Sequence, residues 1–278
     1  MINIKRHLEN WNQRRRLNRR RRRFDSRTAA GVMDIPANWL NGKSVAIIGP
    51  AKGVEDDLIG HAASDFDVIV RLNKGAQLAL GRADLWGPRT DVLFHNLKED
   101  STDRSAGRID DTLLAQSGLA SIVFPHASPE KWGKSSEIAA RRLISQNDID
   151  FLMPRTDLYA DVQKELGGLT PTTGFMAIAT FLSLKPRKLA IFGISFFSTG
   201  YVAEYAASAQ ADANPIDWAR ATGLHDPQIE ARVCAQMLMV HARHPDAFPV
   251  ILGDTIRERL EKEGLEGKRF GFDRNANG

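Results

Sequence analysis

The stretch SVAIIGPAKGVEDDL, residues 44–58, decides the fold. SVAII (44–48) is a short apolar run opened by a serine and reads as a buried strand. GPAKG (49–53) follows at once as a glycine-bracketed turn, and VEDDLIGH (54–61) reads as an acidic, helix-like connection. Two more strand runs come next, DFDVIVRLN (65–73) and TDVLFHN (90–96). Strand, turn, crossover and strand is the repeating unit of a parallel sheet. Ligands of such sheets bind at the carboxyl ends of the strands, where glycines let backbone N–H groups approach a phosphate. Gly49–Gly53 and Arg71–Asn73 are therefore expected near one another on the ligand-binding edge.

Outward from this block, LASIVF (119–124), IDFLM (149–153), KLAIFGIS (188–195) and PVIL (249–252) are further strand candidates. Helices are expected over 135–146, 227–242 and 255–263. In LTPTTGFMAIATFLSL (169–184), Pro171 and the hydroxyls of Thr172 and Thr173 suit a helix start. Gly174 lets a ligand approach the first turn, and the apolar run after it predicts a buried helix. Residues 81–89 read as a polar loop, 98–111 as a charged surface segment and 196–224 as irregular, with a frayed tail from Gly264. The expected architecture is a single α/β domain over 44–278, a mostly parallel Rossmann-like sheet flanked by helices. A chain of 278 residues is long enough for it.

The net charge of +4 is unevenly spread. Residues 1–27 carry eleven Lys or Arg against Glu9 and Asp25, a net of +9, so the rest of the chain is 4 − 9 = −5. Residues 1–30 are expected to be a basic, solvated arm, disordered or loosely helical, and 31–43, with Pro36 and Gly42, a linker. Such an arm suits an anionic membrane surface, with Leu8, Trp11 and Leu17 as interfacial contacts. Nucleic-acid binding is disfavoured, because only Trp11 and Phe24 interleave with the basic residues and the body is acidic. The single cysteine, Cys234, permits no internal disulfide and favours a reducing compartment. No apolar run approaches the length of a bilayer span, and no signal-peptide core is evident. A cytoplasmic protein, peripheral on the inner membrane face, is expected.

Alone, the Gly-x-x-x-Gly turn is weakly diagnostic. It is neither a dinucleotide fingerprint nor a Walker loop, and no zinc helix or serine nucleophile elbow occurs. The pair Asp65 and Asp67 lies within a strand run and makes a poor metal site. His95 and His126 follow strands and could face the edge, although such histidines more often satisfy local bonds. Arg71 reads as structural.

The order of the parts is more specific. Gly49 to Gly53, DVIVRLN (67–73), PTTG (171–174), Phe192-Gly193 and HDPQIE (225–230) occur in succession. Together, over residues 44–96, 169–195 and 222–252, they resemble the family 29 sialyltransferases. The resemblance implies a GT-A-like sialyltransferase variant of the Rossmann-like sheet. It implies inverting, metal-independent transfer of sialic acid, or a related nonulosonic or ulosonic sugar, from its CMP donor to a cell-surface glycan precursor. No cofactor beyond the CMP-sugar is implied. His225 would be the catalytic base, supported by Glu230. Gly49, Gly53, Asn73, Thr172, Thr173 and Gly174 would bind the donor. The chain departs from the family pattern in having Pro50 after the first glycine, no clear match to the His-Tyr pair ahead of His225, and no cysteines at about Ser44 and Pro186, where the family links its large and small motifs by a disulfide. Tyr201 and Tyr205 are candidate substitutes for the His-Tyr pair. The alternative reading is a non-catalytic nucleotide- or glycan-binding protein on the same fold.

Overall fold

The computed structural model describes residues 4–100, 105–146, 148–205 and 214–270; the side chains of residues 4–12, 14 and 268 are outside the described set. Eight strands form in it: β1 (Val32–Asp34), β2 (Ser44–Ile48), β3 (Val68–Leu72), β4 (Val92–Phe94), β5 (Ser121–Val123), β6 (Asp150–Met153), β7 (Lys188–Phe192) and β8 (Val250–Leu252). They make one sheet in the order β1-β6-β5-β4-β3-β2-β7-β8, and every adjacent pair is parallel. The protein is thus a single α/β domain with an all-parallel sheet flanked by helices.

The apolar runs explain the sheet. All five residues of β2 and all five of β3 are buried. Alternate residues serve opposite faces, as the pleat requires. Val45, Ile47, Val70 and Leu72 join the large core under helix Thr173–Leu184. Ala46, Ile48 and Ile69 join a smaller core with Val54, Trp86 and Phe192. Arg71 also sits within β3, fully buried, and donates to the carbonyls of Trp86 (2.6 Å) and Gly87 (2.9 Å). Its role is structural: it ties down the segment after helix Ala83–Trp86. That helix, and Gly75–Gly81 before it, occupy ground that the sequence presents in part as a polar loop.

Residues 31–43 are not a plain linker. β1 lies within them and pairs with β6, from Val32 opposite Phe151 to Asp34 opposite Met153. A strand of three residues is too short to give a period, so β1 left no pattern to read. The basic arm takes the helical of its two expected forms, and it is anchored rather than loose. Ile4–Asp25 is a helix of 22 residues, and Phe24 at its end is buried in the large core. Arginine is a good helix former, and this anchoring supplies the packing that an isolated helix lacks. The side chains of Leu8 and Trp11 lie outside the described residues. Among the described residues no helix is long and apolar enough to cross a membrane.

The chain runs β2 to β6 towards one edge and then returns, so that β7 pairs with the other side of β2. The loops after β2 and β7 therefore leave in opposite directions, and a crevice opens at such a point. Here the two loops touch. A Cβ on Gly49 would lie 2.4 Å from the Gly193 carbonyl oxygen, and one on Gly193 would lie 2.3 Å from that of Gly49. Gly193 also has φ of 61°. Gly49→Ala is accordingly expected to destabilise the fold by about 1–3 kcal/mol. Gly75→Ala, in open space, should fall between neutral and about 1 kcal/mol stabilising. Urea unfolding of both variants checks this; equal effects would contradict the close-approach argument.

Candidate active site

A cleft of about 400 Å³ opens at the carboxyl ends of β2, β3, β4, β5 and β7. Its floor includes the start of helix Thr173–Leu184, and one wall is the segment before helix Pro227–Arg243. Asn73, Thr172, Thr173, Gly174 and His225 all line it, although up to 152 residues separate Asn73 from His225 (225 − 73).

Four bonds lace these walls together. Glu230 is buried, and its carboxylate accepts from the Thr172 N–H at 2.7 Å and the Thr172 hydroxyl at 2.6 Å. Thr172 in turn caps its helix by accepting from the Phe175 N–H. His225 Nδ1 donates to the Thr170 carbonyl at 2.7 Å, and the Thr170 N–H donates to the Leu224 carbonyl. That contact makes Nδ1 the protonated nitrogen of the neutral ring and Nε2 the lone-pair nitrogen. Asp226 caps the following helix by accepting from the Gln228 and Ile229 N–H groups, with Pro227 in the first turn. Burial pushes the Glu230 carboxyl up to about 8, against the lowering effect of the Thr172 bonds. Glu230 lies behind the cleft wall, not in it.

The glycine turn is arranged differently from a phosphate cradle. The N–H groups of Gly49, Ala51 and Lys52 go to the carbonyls of Phe192, Gly193 and Gly200, and Pro50 has no N–H. Gly49 and Gly53 do not line the cleft; Pro50 and Ala51 do. Gly53, at φ 93°, precedes helix Val54–Asp57. Asp57, from the acidic connection, is buried and accepts from the Gly193 and Thr255 N–H groups, fastening the β7 loop. Thr172 is likewise committed, with both donors on Glu230. Thr173 and Gly174, by contrast, are the first residues of their helix, where N–H groups have no intrahelical partner.

Asn73, at φ 48°, crosses between strands. Its Oδ1 accepts from the Asn96 N–H at 3.2 Å, and its Nδ2 donates to the Thr173 hydroxyl at 3.4 Å. The segment after β7 folds back over the cleft and bridges Tyr201 to Ala51. It brings Tyr201 and Tyr205 into the lining, with ring centroids 4.5 Å apart. Burial raises both phenols, Tyr205 to about 12. Phe196 and Phe197, also lining, hold φ of 47° and 59°, which bulky residues rarely adopt.

The opposite wall holds residues that the sequence marked weakly or not at all: Asn96, Lys98, His126 and Lys131. Each follows β4 or β5, and the first residues after a parallel strand fall on the ligand edge. His126 lies at the cleft, with its ring edge-on to Phe124 and Tyr159; burial pushes it down to about 3, and Lys131 and His225 add to that. His95 instead is fully buried, bonded to the Ala106 and Gly107 carbonyls and the Leu97 N–H, and plays a structural part. Asp67 is also structural, accepting from the Ser44 N–H, the Ser44 hydroxyl and Arg187. Among the described residues, the only charged side chains lining the cleft are Lys98 and Lys131. The cavity is therefore suited to an anion.

The chain is similar in structure to a mammalian sialyltransferase solved in complex with Gal-beta-1-3GalNAc-ortho-nitrophenol, with a TM-score of 0.47 and 13% identity over 81% of this chain and 76% of that one. No protein-family model matches the sequence, and no curated protein matches it significantly.

The raised Glu230 carboxyl gives a pH signature. The folded state holds this proton more tightly than the unfolded chain, so its stabilisation is complete below about pH 4.5 and is lost as pH rises through about 8. Between those limits the loss approaches about 1.4 kcal/mol per pH unit. Buried His95 and His126 act in the opposite sense below about pH 6.5, so the readout is the difference between wild type and Glu230→Gln. Urea unfolding at pH 5, 6.5 and 8 should show wild type losing ground to the variant as pH rises; parallel curves would contradict a buried, proton-holding Glu230.

Proposed function

We propose that the protein transfers a sugar acid from a CMP donor to an acceptor hydroxyl, with inversion at the transferred carbon. The observation that carries this reading is the convergence on one cleft of a helix start, two lysines, Asn73 and a histidine whose Nδ1 is held by a backbone carbonyl, with no carboxylate in the described lining. A cavity of about 400 Å³ is in the range of small-ligand sites. The sequence resemblance to family 29 sialyltransferases supplies the donor class.

In this reading the donor phosphate sits at the N–H groups of Thr173 and Gly174, where the helix dipole favours negative charge. Lys131 supplies balancing charge, with Lys98, which also pairs with Asp100 at 3.6 Å, beside it. Asn73 holds the ribose side, and Tyr201 and Tyr205 offer ring faces and hydroxyls to the nucleotide. The acceptor hydroxyl gives its proton to His225 Nε2 while its oxygen bonds to the anomeric carbon. The bond from that carbon to the phosphate oxygen breaks on the opposite face, and CMP leaves with the electron pair. The Thr170 carbonyl, accepting from Nδ1, orients the ring and steadies the imidazolium that forms. Glu230 acts at one remove, by fixing the helix start through Thr172.

Calorimetric titration with CMP should give a single site whose affinity is the same with and without EDTA and falls in Lys131→Met. Binding of UDP or NAD in preference to CMP would sink the donor assignment. A general base contributes about 10²–10⁴ in rate. His225→Ala should lose that much in kcat on a CMP-sugar while keeping CMP affinity and melting temperature. Retention of more than about a tenth of turnover would move the base to another residue, with His126 next to test. Pro50, lining the cleft where the family has an asparagine, favours a second, non-catalytic reading. CMP-sugar binding with neither transfer nor slow hydrolysis would select it.

A further inference from the structure

The arginine helix Ile4–Asp25 is fixed to the body next to the cleft. Phe24 is buried in the core, and Arg23 pairs with Glu137 at 2.7 Å. Arg20 donates to the Glu130 carbonyl at 3.3 Å, and the next residue, Lys131, lines the cleft. Arg16, Arg19, Arg21 and Arg22 are exposed. At about 100° per residue they point around the helix, with no wide apolar stripe between Gln13 and Arg23. Such a helix is unsuited to burying one face in acyl chains. It is suited to lying on a negatively charged plane, where each basic residue adds to the attraction.

We propose that this helix docks the protein on an anionic lipid bilayer and holds the cleft mouth at that surface. Charge complementarity carries the choice of partner. The first 27 residues carry a net of +9 and the remainder −5, so a negative plane attracts the helix and repels the body. The two effects together set one orientation, helix inward and body outward. Single-stranded nucleic acid would be held by aromatic rings among the basic residues, and none stands between Gln13 and Arg23. Joined to the transfer reading, on which this last step rests, the docking selects acceptors anchored in the membrane.

The test is flotation of the full-length protein with vesicles of phosphatidylcholine alone or with three-tenths phosphatidylglycerol. Wild type should float with the anionic vesicles at 50 mM salt, leave them at 0.5 M salt, and ignore neutral vesicles. The quadruple variant Arg16, Arg19, Arg21 and Arg22→Gln keeps Arg20, Arg23 and Phe24 at the body. It should lose about 10²–10³-fold in partitioning, with unchanged CMP affinity and melting temperature. Equal binding to both vesicle types, or a variant that binds as wild type does, would overturn the proposal. So would tighter binding to a 30-nucleotide single strand or duplex than to vesicles at the same salt. The vesicle result does not depend on sugar transfer, so its failure leaves the nucleotide reading standing, and the reverse.

Discussion

A buried carboxyl group organises this site. Glu230 takes both donors of Thr172, and Thr172 is the residue that starts the helix on the cleft floor. One side chain thus joins helix Pro227–Arg243 to helix Thr173–Leu184 at the point where a ligand would meet the second of them. Burying a carboxyl here is costly, which is why it keeps its proton up to about pH 8. Two short bonds offset part of that cost, and losing either partner would strand a buried polar group. The bond from His225 to the Thr170 carbonyl crosses the same gap two residues earlier. Helix start and histidine are therefore held by one seam, and a change in Glu230 reaches both.

A second constraint fixes where the seam lies. The loops after β2 and β7 meet at Gly49 and Gly193, at a separation no side chain would allow. Asp57 then fastens the β7 loop from behind. The segment that leaves this contact returns over the cleft with Phe196 and Phe197 in left-handed backbone, and Asn73 across the cleft shares that conformation. Strained residues of this kind persist only where the surroundings over-determine them, and they gather at ligand sites. The glycines that look like a ligand cradle thus serve the scaffold, and the ligand side of the turn falls to Pro50 and Ala51.

This division explains what could be read in advance. Apolar runs gave up the central strands β2, β3 and β7, because a sheet buried on both faces demands them. Asp226-Pro227 and Pro171-Thr172 announced their helix starts through cap chemistry that is local in sequence. β1 was hidden because three residues show no period, and its pairing with β6 spans over a hundred positions. The anchoring of the arginine helix was hidden because Phe24, its anchor, looks like any residue in a charged run. Trp86 stood in an apparent polar loop, and its burial depends on distant residues of the smaller core, among them Ala46, Ile69 and Phe192. At the site, Asn73, Thr173 and His225 carried motif signals and meet at the cleft. Asn96, His126 and Lys131 carried little beyond their place after a strand. Gly49 misled, since a close backbone approach and a phosphate turn call for the same residue.

The central claim is that the start of helix Thr173–Leu184, held by Glu230 and faced by His225, is where a donor phosphate binds. A crystal structure of the protein with CMP bound tests it most directly. The account predicts the phosphate oxygens within hydrogen-bond distance of the Thr173 and Gly174 N–H groups, the ribose beside Asn73, and His225 across the cleft with its Nδ1 still on the Thr170 carbonyl. A nucleotide seated elsewhere, or a phosphate held at this edge by other groups with the helix start unoccupied, would contradict it.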